Sequence, residues 1–347
     1  MNEQHLFPFT KQERQTLFRN TANKLNIQPA MVEKDFWVYV VLDKIFGDKE
    51  LSQILCFKGG TSLLKAFHLI ERFSEDIDLI LARHLVLRDG EALKQSSRTK
   101  QDKLAKEINT RAEQYIKTEL KDKIVRVFGD MLKVYTDEEY ARIEPEYDPN
   151  NPRETNDSKL HVVYPRSIAD DYLRPDILLE IGPLSLWNPN DRYNVSSYVA
   201  DTYPHLGIKP TVVPTIKPER TFWEKITILH YEHTRPENKP LKSKYSRHYY
   251  DIFKMGHSDV KCIALAKPEL LAEVIDFDSH LYRLTWADYE MAKIGTLHLM
   301  PTRHNLDALA KDYAKMQKMF FNPEVVPKWE DILMYLQELE DEINSKR

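Results

Sequence analysis

Two aspartates one residue apart, Asp76 and Asp78, have the type and spacing that most directly suggest chemistry. Side chains alternate along a strand, so Asp76, Asp78 and Ile80 share one face while Glu75, Ile77, Leu79 and Leu81 share the other. The two carboxylates then stand roughly 7 Å apart and repel each other unless a cation lies between them. Mg²⁺ suits such a pair, because it prefers carboxylate oxygen and keeps substrate phosphates in its shell. Upstream lies Gly59-Gly60-Thr61-Ser62. The glycines let the backbone turn sharply and approach a ligand closely, and Thr61 or Ser62 can cap a following helix. A helix opening on that turn offers free N–H groups and a positive dipole end to a phosphate. A triphosphate held by Gly59, Gly60, Thr61 and Ser62, with Mg²⁺ on Asp76 and Asp78, is what nucleotidyl transfer from an NTP requires. An isolated Asp-x-Asp reads more simply as a solvated edge strand, and the glycine turn is what shifts the reading to a site.

The neighbouring elements would position these residues. Ile54–Phe57 is a short apolar run suited to a buried strand, and Leu63, Leu64, Phe67 and Ile70 give the next helix one apolar face. Residues 8–28 read as helical, and a second helix begins at Gln28-Pro29 with Met31, Phe36, Val40 and Val41 on its buried face. Glu33, Lys34 and Asp35 read as its solvated start, where acids favour the helix dipole. From Leu85 to about Phe128 the chain is charged and lysine-rich. Leu104, Ile108, Ala112, Tyr115 and Leu120 approximate a helical stripe there, with Gln95–Asp102 as a polar joint. Strands are expected at Met131–Tyr135, Lys159–Tyr164 and Arg174–Ile181, with a loop over Asp148–Asp157. In the last of these strands Asp176, Leu178 and Glu180 fall on one face. After Gly182-Pro183 the chain turns to proline-rich loops and then helices. The expected fold is α/β (α+β) with a small mixed sheet over residues 1–186. A mainly helical domain over 187–347 would contribute to the active cleft.

The second half holds two further segments with chemical potential. Pro218–Glu232 is a helix opened by proline, with Phe222, Ile226 and Leu229 at helical spacing and Arg220, Glu224 and Lys225 along its flank. Spacing alone favours an i,i+4 Arg220–Glu224 pair with Lys225 in water. A lysine that reached a site would instead neutralise charge on a transferring phosphoryl group. Lys239, Lys242, Lys244 and Arg247 then crowd a segment ending in Arg247-His248-Tyr249-Tyr250-Asp251. Charges for phosphates and rings for stacking are what an RNA or triphosphate contact uses. A lysine-rich loop followed by an ion pair at a helix start is the plainer alternative. His68, His230 and His304 lack the i,i+4 spacing of metal ligands and read as structural or surface residues. Leu333, Leu336, Leu339 and Ile343 mark an amphipathic terminal helix.

Bulk properties narrow the class. The 347 residues carry a formal net charge of −4, which argues against a general nucleic-acid coat but leaves room for a local basic patch. Two cysteines, Cys56 and Cys262, exclude a disulfide scaffold and a cysteine zinc cluster. No apolar run approaches ~20 residues and the N-terminus lacks a signal-peptide pattern, so a cytoplasmic protein without membrane contact is expected.

The stretch Phe57-Lys-Gly-Gly-Thr-Ser through Phe73-Ser-Glu-Asp-Ile-Asp-Leu79 resembles the signature of the AbiEii/AbiGii toxin family. These are nucleotidyltransferases of the DNA polymerase β-like superfamily. The similarity runs from Glu33-Lys-Asp-Phe-Trp37 to the C-terminal helices. The resemblance implies a polymerase β-like core and Mg²⁺-dependent transfer of a nucleoside monophosphate from an NTP. It also implies a role as the toxin of a bacterial type IV toxin–antitoxin or abortive-infection system. The acceptor it implies is RNA, the 3′ end of tRNA, and an antitoxin need not touch the toxin. Arg220-x-x-x-Glu224-Lys225 resembles the family motif that makes Lys225 catalytic. Arg247-His248-Tyr-Tyr-Asp251 resembles its last motif, which makes Asp251 catalytic and Arg247 or His248 nucleotide contacts. The superfamily pattern also expects a third carboxylate on a strand beside the Asp-x-Asp, a place for Glu180 or Asp176, with Glu180 preferred. Two alternatives are NMP transfer to a protein or small molecule, and a non-catalytic nucleotide or RNA binder of the same fold.

Overall fold

A run of three charged residues inside an apolar helix shows how the first part of the chain is built. In the computed structural model, which describes residues 9–144, 154–170, 173–183 and 186–346, helix α1 (Lys11–Leu25) is followed by α2 (Pro29–Gly47). Thr10 and Glu13 cap α1 reciprocally, and Asn26 closes it in the left-handed conformation. The α2 sequence has a weak apolar periodicity because the helix is buried nearly all round, against α1, a short helix α3 (Leu51–Ile54) and parts of the sheet. Glu33, Lys34 and Asp35 are therefore 2, 3 and 2% exposed, and the solvated helix start expected for them is corrected.

Contacts divide the chain into two units. The first comprises residues up to 66, 73–91 and 106–215, and the second comprises 67–72, 92–105 and 216 onward. In the first unit β1 (Leu55–Lys58) leads directly into helix α4 (Gly59–Lys65), and β2 (Ile77–Leu81) follows. The lysine-rich segment forms α5 (Arg98–Tyr115), which crosses the division at residue 105, and α6 (Lys121–Phe128), joined by a π-helical turn over Ile116–Leu120. Leu104, Ile108, Ala112, Tyr115 and Leu120 are all buried, as their spacing predicts. Next come β3 (Lys133–Thr136), α7 (Asp137–Ile143), β4 (Lys159–Val163) and β5 (Asp176–Gly182). Residues 148–153 of the loop expected over Asp148–Asp157 lie outside the described residues. The proline-rich stretch expected as loops adds β6 (Asn190–Val195), a short helix α8 (Tyr198–Thr202) and β7 (Thr211–Ile216).

The seven strands among the described residues form one mixed sheet in the order β3-β4-β5-β2-β1-β7-β6. β1 runs antiparallel to β2 and parallel to β7, while β2 runs parallel to β5 and β5 antiparallel to β4. β2 is thus central. Ile77, Leu79, Ile80 and Leu81 are buried, so beyond Asp78 both of its faces are covered and only its entrance carries charge.

The second unit is helical: α9 (Pro218–His233), α10 (Ser246–Gly256), α11 (Asp259–Leu265), α12 (Pro268–Leu281), α13 (Arg303–Met316) and α14 (Trp329–Ser345). α9 packs on α10, α11 and α12, and α10 packs on α13 and α14. Phe222, Trp223, Ile226 and Leu229 bury the expected face of α9, and Trp223 Nε1 donates to the Ala264 carbonyl at 3.1 Å. In α14 the buried residues are Trp329, Ile332, Leu336, Leu339 and Ile343, so Ile332 takes the place expected for Leu333. The segment 67–72 is tied into this unit by a bridge from Arg72 to Phe320 and a Tyr250 hydroxyl that accepts from the Glu71 N–H at 3.1 Å.

Candidate active site

Within the first unit, the candidate site centres on the junction of β1 with α4. Gly59 turns there with φ +79°, a conformation side-chain-bearing residues rarely adopt. A Cβ on Gly59 would meet Asp78 Oδ2 at 1.9 Å, so glycine is what allows the Asp78 carboxylate to stand against the turn. The expectation that Thr61 or Ser62 caps the helix is corrected. α4 begins at Gly59, its N-cap is Lys58, and no side chain caps it. Thr61 donates to the Asp76 carbonyl and sits 2.9 Å from Ser74 Oγ, while Ser62 donates to the Gly59 carbonyl at 2.8 Å. Both hydroxyls are fully buried and committed to the fold, so any hydrogen bonds this turn could offer an anion would come from its backbone N–H groups.

Asp76 and Asp78 are both half-buried at the entrance to β2. Register aligns Asp78 with Lys58 of β1 on one side and with Glu180 of β5 on the other, and aligns Glu180 in turn with Lys159 of β4. Cross-strand partners point to the same side, so Lys58, Asp78, Glu180 and Lys159 form one charged row across four strands. Lys159 pairs with Glu180 at 2.7 Å. Asp176 lies elsewhere on β5, buried and bonded to His161 Nδ1 at 2.7 Å. His161 Nε2 reaches Asp137 at 2.9 Å, and Tyr140 stacks on the His161 ring at 4.0 Å. Of the two candidates for a third acid, Glu180 is the one beside Asp78.

Among the described residues, no three His, Cys, Asp or Glu side chains are gathered so as to hold a metal by themselves. Mg²⁺ is usually bound through one or two carboxylates, with substrate phosphates and water completing its shell. Asp76 and Asp78 beside the glycine turn match that donor set.

Within the second unit, the other candidate residues form a buried ion cluster. Asp251 on α10 is 0% exposed. It accepts from Arg72 through both oxygens, Nε to Oδ1 at 2.8 Å and a terminal guanidinium nitrogen to Oδ2 at 2.7 Å. Lys225 of α9 also meets Oδ2 at 2.9 Å and lies 3.4 Å from His248 Nδ1. Burial alone would raise the Asp251 carboxyl, but the charges of Arg72 and Lys225 outweigh it and hold the group well below the usual carboxylate range. Burial lowers the Lys225 ammonium, opposed by Asp251 and assisted by Arg72. Burial, with the charges of Lys225 and Arg247, holds His248 well below its usual value and keeps it neutral at pH 7. The reading that left Lys225 in water is corrected: the Arg220–Glu224 pair exists at 3.2 Å, yet Lys225 is buried on another side of the helix. Arg247 is half-buried beside it, and Lys239, Lys242 and Lys244 are exposed. Lys239 lies 4.1 Å over the Trp286 ring.

Sequence reasoning missed Arg72, Lys58 and Lys159. Arg72 carries a faint signal, an arginine flanked by Ile70 and Phe73 inside the motif stretch. The two lysines become visible only through strand register.

A glycine turn backed by a central Asp-x-Asp, with a glutamate on the adjacent strand, is the arrangement of a nucleotidyltransferase. A family described as nucleotidyl transferase AbiEii toxin, type IV toxin–antitoxin system, matches residues 40–335. The chain belongs to that family and is a nucleotidyltransferase with an NTP substrate. Two solved structures align with most of it. MenT4, a nucleotidyltransferase toxin from Mycobacterium tuberculosis H37Rv, covers 96% of this chain and 98% of its own at 13% identity, with a TM-score of 0.41. JHP933 from Helicobacter pylori covers 91% and 92% at 13% identity, with a TM-score of 0.39. No curated protein sequence matches. Among the described residues, no helix is long and apolar enough to cross a membrane.

Proposed function

We propose that the chain transfers a nucleoside monophosphate from an NTP to an RNA hydroxyl, the 3′ end of a tRNA, with Mg²⁺ on Asp76 and Asp78. The observation that carries the reading is the contact between Gly59 and Asp78, which joins the phosphate-facing turn to the metal-facing acid. When bound, the metal neutralises charge on the transferring phosphate and favours ionisation of the acceptor hydroxyl. The backbone N–H groups of Gly59, Gly60, Thr61 and Ser62 receive the triphosphate. Glu180, half-exposed beside Asp78, takes the proton from the acceptor. The acceptor oxygen bonds to the α-phosphorus, the α–β bridge breaks and pyrophosphate leaves. Lys225 counters phosphate charge. Asp251, with both oxygens taken, serves by fixing Lys225 and Arg72 rather than as a base. Arg247 contacts the nucleotide, and His248, kept neutral, orients the Lys225 ammonium. The exposed Lys239, Lys242 and Lys244 support a nucleic-acid acceptor. Acting on cytoplasmic tRNA, such a toxin would stop translation, and an antitoxin from the same system would oppose it with no required contact.

Labelling with each α-³²P-NTP and Mg²⁺, in the presence of total tRNA, total protein or no acceptor, tests this directly. Label on tRNA that vanishes in Asp76→Ala/Asp78→Ala is the expected result and names the base. Label on protein would keep the chemistry and overturn the acceptor. NTP binding without label on any acceptor would overturn catalysis.

A further inference from the structure

Helix α2 sends three consecutive charged side chains to five separate segments of the first unit. Glu33 accepts from the Ser167 N–H and hydroxyl at 2.7 Å each and from the Ile168 N–H at 2.8 Å. Lys34 pairs with Glu75 at 2.9 Å and donates to the Arg174 carbonyl at 2.9 Å. Asp35 meets Lys65 at 2.5 Å and accepts from the Tyr198 N–H at 2.7 Å. Lys65 in turn lies 4.4 Å over the Tyr198 ring. Three adjacent charges, each at most 3% exposed, are costly to desolvate, and every one of them has a specific partner. The partners are not arbitrary. Glu75 is the residue before Asp76, and Lys65 ends the helix that opens on Gly59. Neighbouring residues of one rigid helix thus hold the strand entrance that carries the Asp-x-Asp and the helix that follows the glycine turn. Between those two segments, Thr61 ties the first turn of α4 to the Asp76 carbonyl.

We propose that Lys34 and Asp35 are positioning residues: together they fix the distance between the phosphate-facing turn and the metal-binding carboxylates. The inference rests on the reading of Asp76 and Asp78 as metal ligands. Hydrophobic replacement of both members of a buried pair restores much of the stability that removal of one member costs. It does not restore a geometry that the pair enforced, and losing an outer-shell partner of a metal site weakens metal binding about 10–100-fold.

The experiment uses the full chain with Mn²⁺ as the probe, its binding read by electron paramagnetic resonance and thermal stability read in parallel. Lys34→Met is expected to lower Tm by roughly 6–12 °C. Lys34→Met/Glu75→Leu should recover at least half of that loss yet bind Mn²⁺ about 10-fold more weakly than the natural chain. The matched pair Asp35→Leu/Lys65→Met should weaken binding of a fluorescent ATP analogue by a similar factor, again with Tm largely recovered. Double variants that regain both stability and natural affinity, while Asp76→Ala still fails to bind Mn²⁺, would make the α2 charges merely structural and overturn the proposal. Equal Mn²⁺ binding by the natural chain and Asp76→Ala would remove the metal reading itself, and the positioning role with it.

Discussion

Asp78 and Asp251 are acids in opposite circumstances. Asp78 is half-buried at the mouth of a central strand, in a row where a second carboxylate, Glu180, is its register partner. Asp251 is sealed, with two cations on one carboxylate. An acid that must receive a hydrated cation and a phosphate needs an approach from solvent. A fully enclosed acid bonded through both oxygens is a poor base and a poor ligand, but it is an effective anchor. In the proposed reading the two motif aspartates of the resemblance therefore take different jobs, one set by access and the other by saturation.

The largest test of that difference is removal of each acid in turn. Asp76→Ala should lower nucleotidyl transfer about 10³-fold or more while Tm stays within about 2 °C, because a half-buried acid at a strand entrance supports little of the fold. Asp251→Ala should do the reverse first. It removes the buried carboxylate that Arg72 and Lys225 share, a loss of about 3–5 kcal/mol that urea unfolding would read as a lower midpoint. A stable Asp251→Ala protein with merely reduced activity would restore a direct chemical role to that residue.

Much of the fold around Asp78 was legible in the sequence, for local reasons, whereas the resemblance made Asp251 catalytic and showed nothing of its burial. The strand–turn–helix–strand order around Gly59 and Asp78 follows from glycine conformation and strand alternation, and those are properties of a dozen adjacent residues. The buried stripe of α5 and the apolar face of α9 likewise follow from spacing. What the sequence hid depends on long-range packing. Glu33, Lys34 and Asp35 read as a solvated helix start because nothing local shows that α2 is covered all round. Lys225 read as solvated because its partners, Arg72 and Asp251, lie 153 and 26 residues away by the numbering. Strands β6 and β7 hid among prolines, since Pro214 inside β7 argues against a strand until the sheet around it is seen.

A milder probe of the sealed cluster is pH. His248 has a folded value well below that of the unfolded chain, about 6.5. As pH falls through ~6.5 the unfolded chain takes up the proton first, so the stability due to neutral His248 is complete above that pH. It declines below it by about 1.4 kcal/mol per pH unit until the folded value is reached. Asp251 adds a loss of the same sign further down, beginning near ~3.9. Between pH 7.5 and 5 the natural chain should thus lose more Tm than His248→Gln does. Parallel Tm curves for the two proteins would mean that His248 protonates freely in the fold and that the cluster is more open than Asp251 suggests.

The smallest expected effect sharpens the open side of the comparison. Lys159 and Glu180 form a pair whose side chains are 30 and 38% exposed, the kind of ion pair that contributes under ~1 kcal/mol to stability. Lys159→Met should therefore leave Tm within about 2 °C. Its effect belongs to the metal site, because the lysine charge opposes a cation drawn to Asp78 and Glu180. At roughly 7 Å and a water-like dielectric, one unit charge acting on a divalent cation is worth about 1.2 kcal/mol, so Mn²⁺ should bind about 7-fold more tightly in Lys159→Met. The gain should shrink as salt is raised, since exposed charges are screened. Weaker binding in the variant would give the pair a different meaning: Lys159 would then be holding Glu180 in the orientation the metal needs. Glu180→Gln separates the two outcomes: a gain due to the lost lysine charge persists when Lys159→Met is added to Glu180→Gln, whereas a loss due to a misoriented carboxylate disappears in that background.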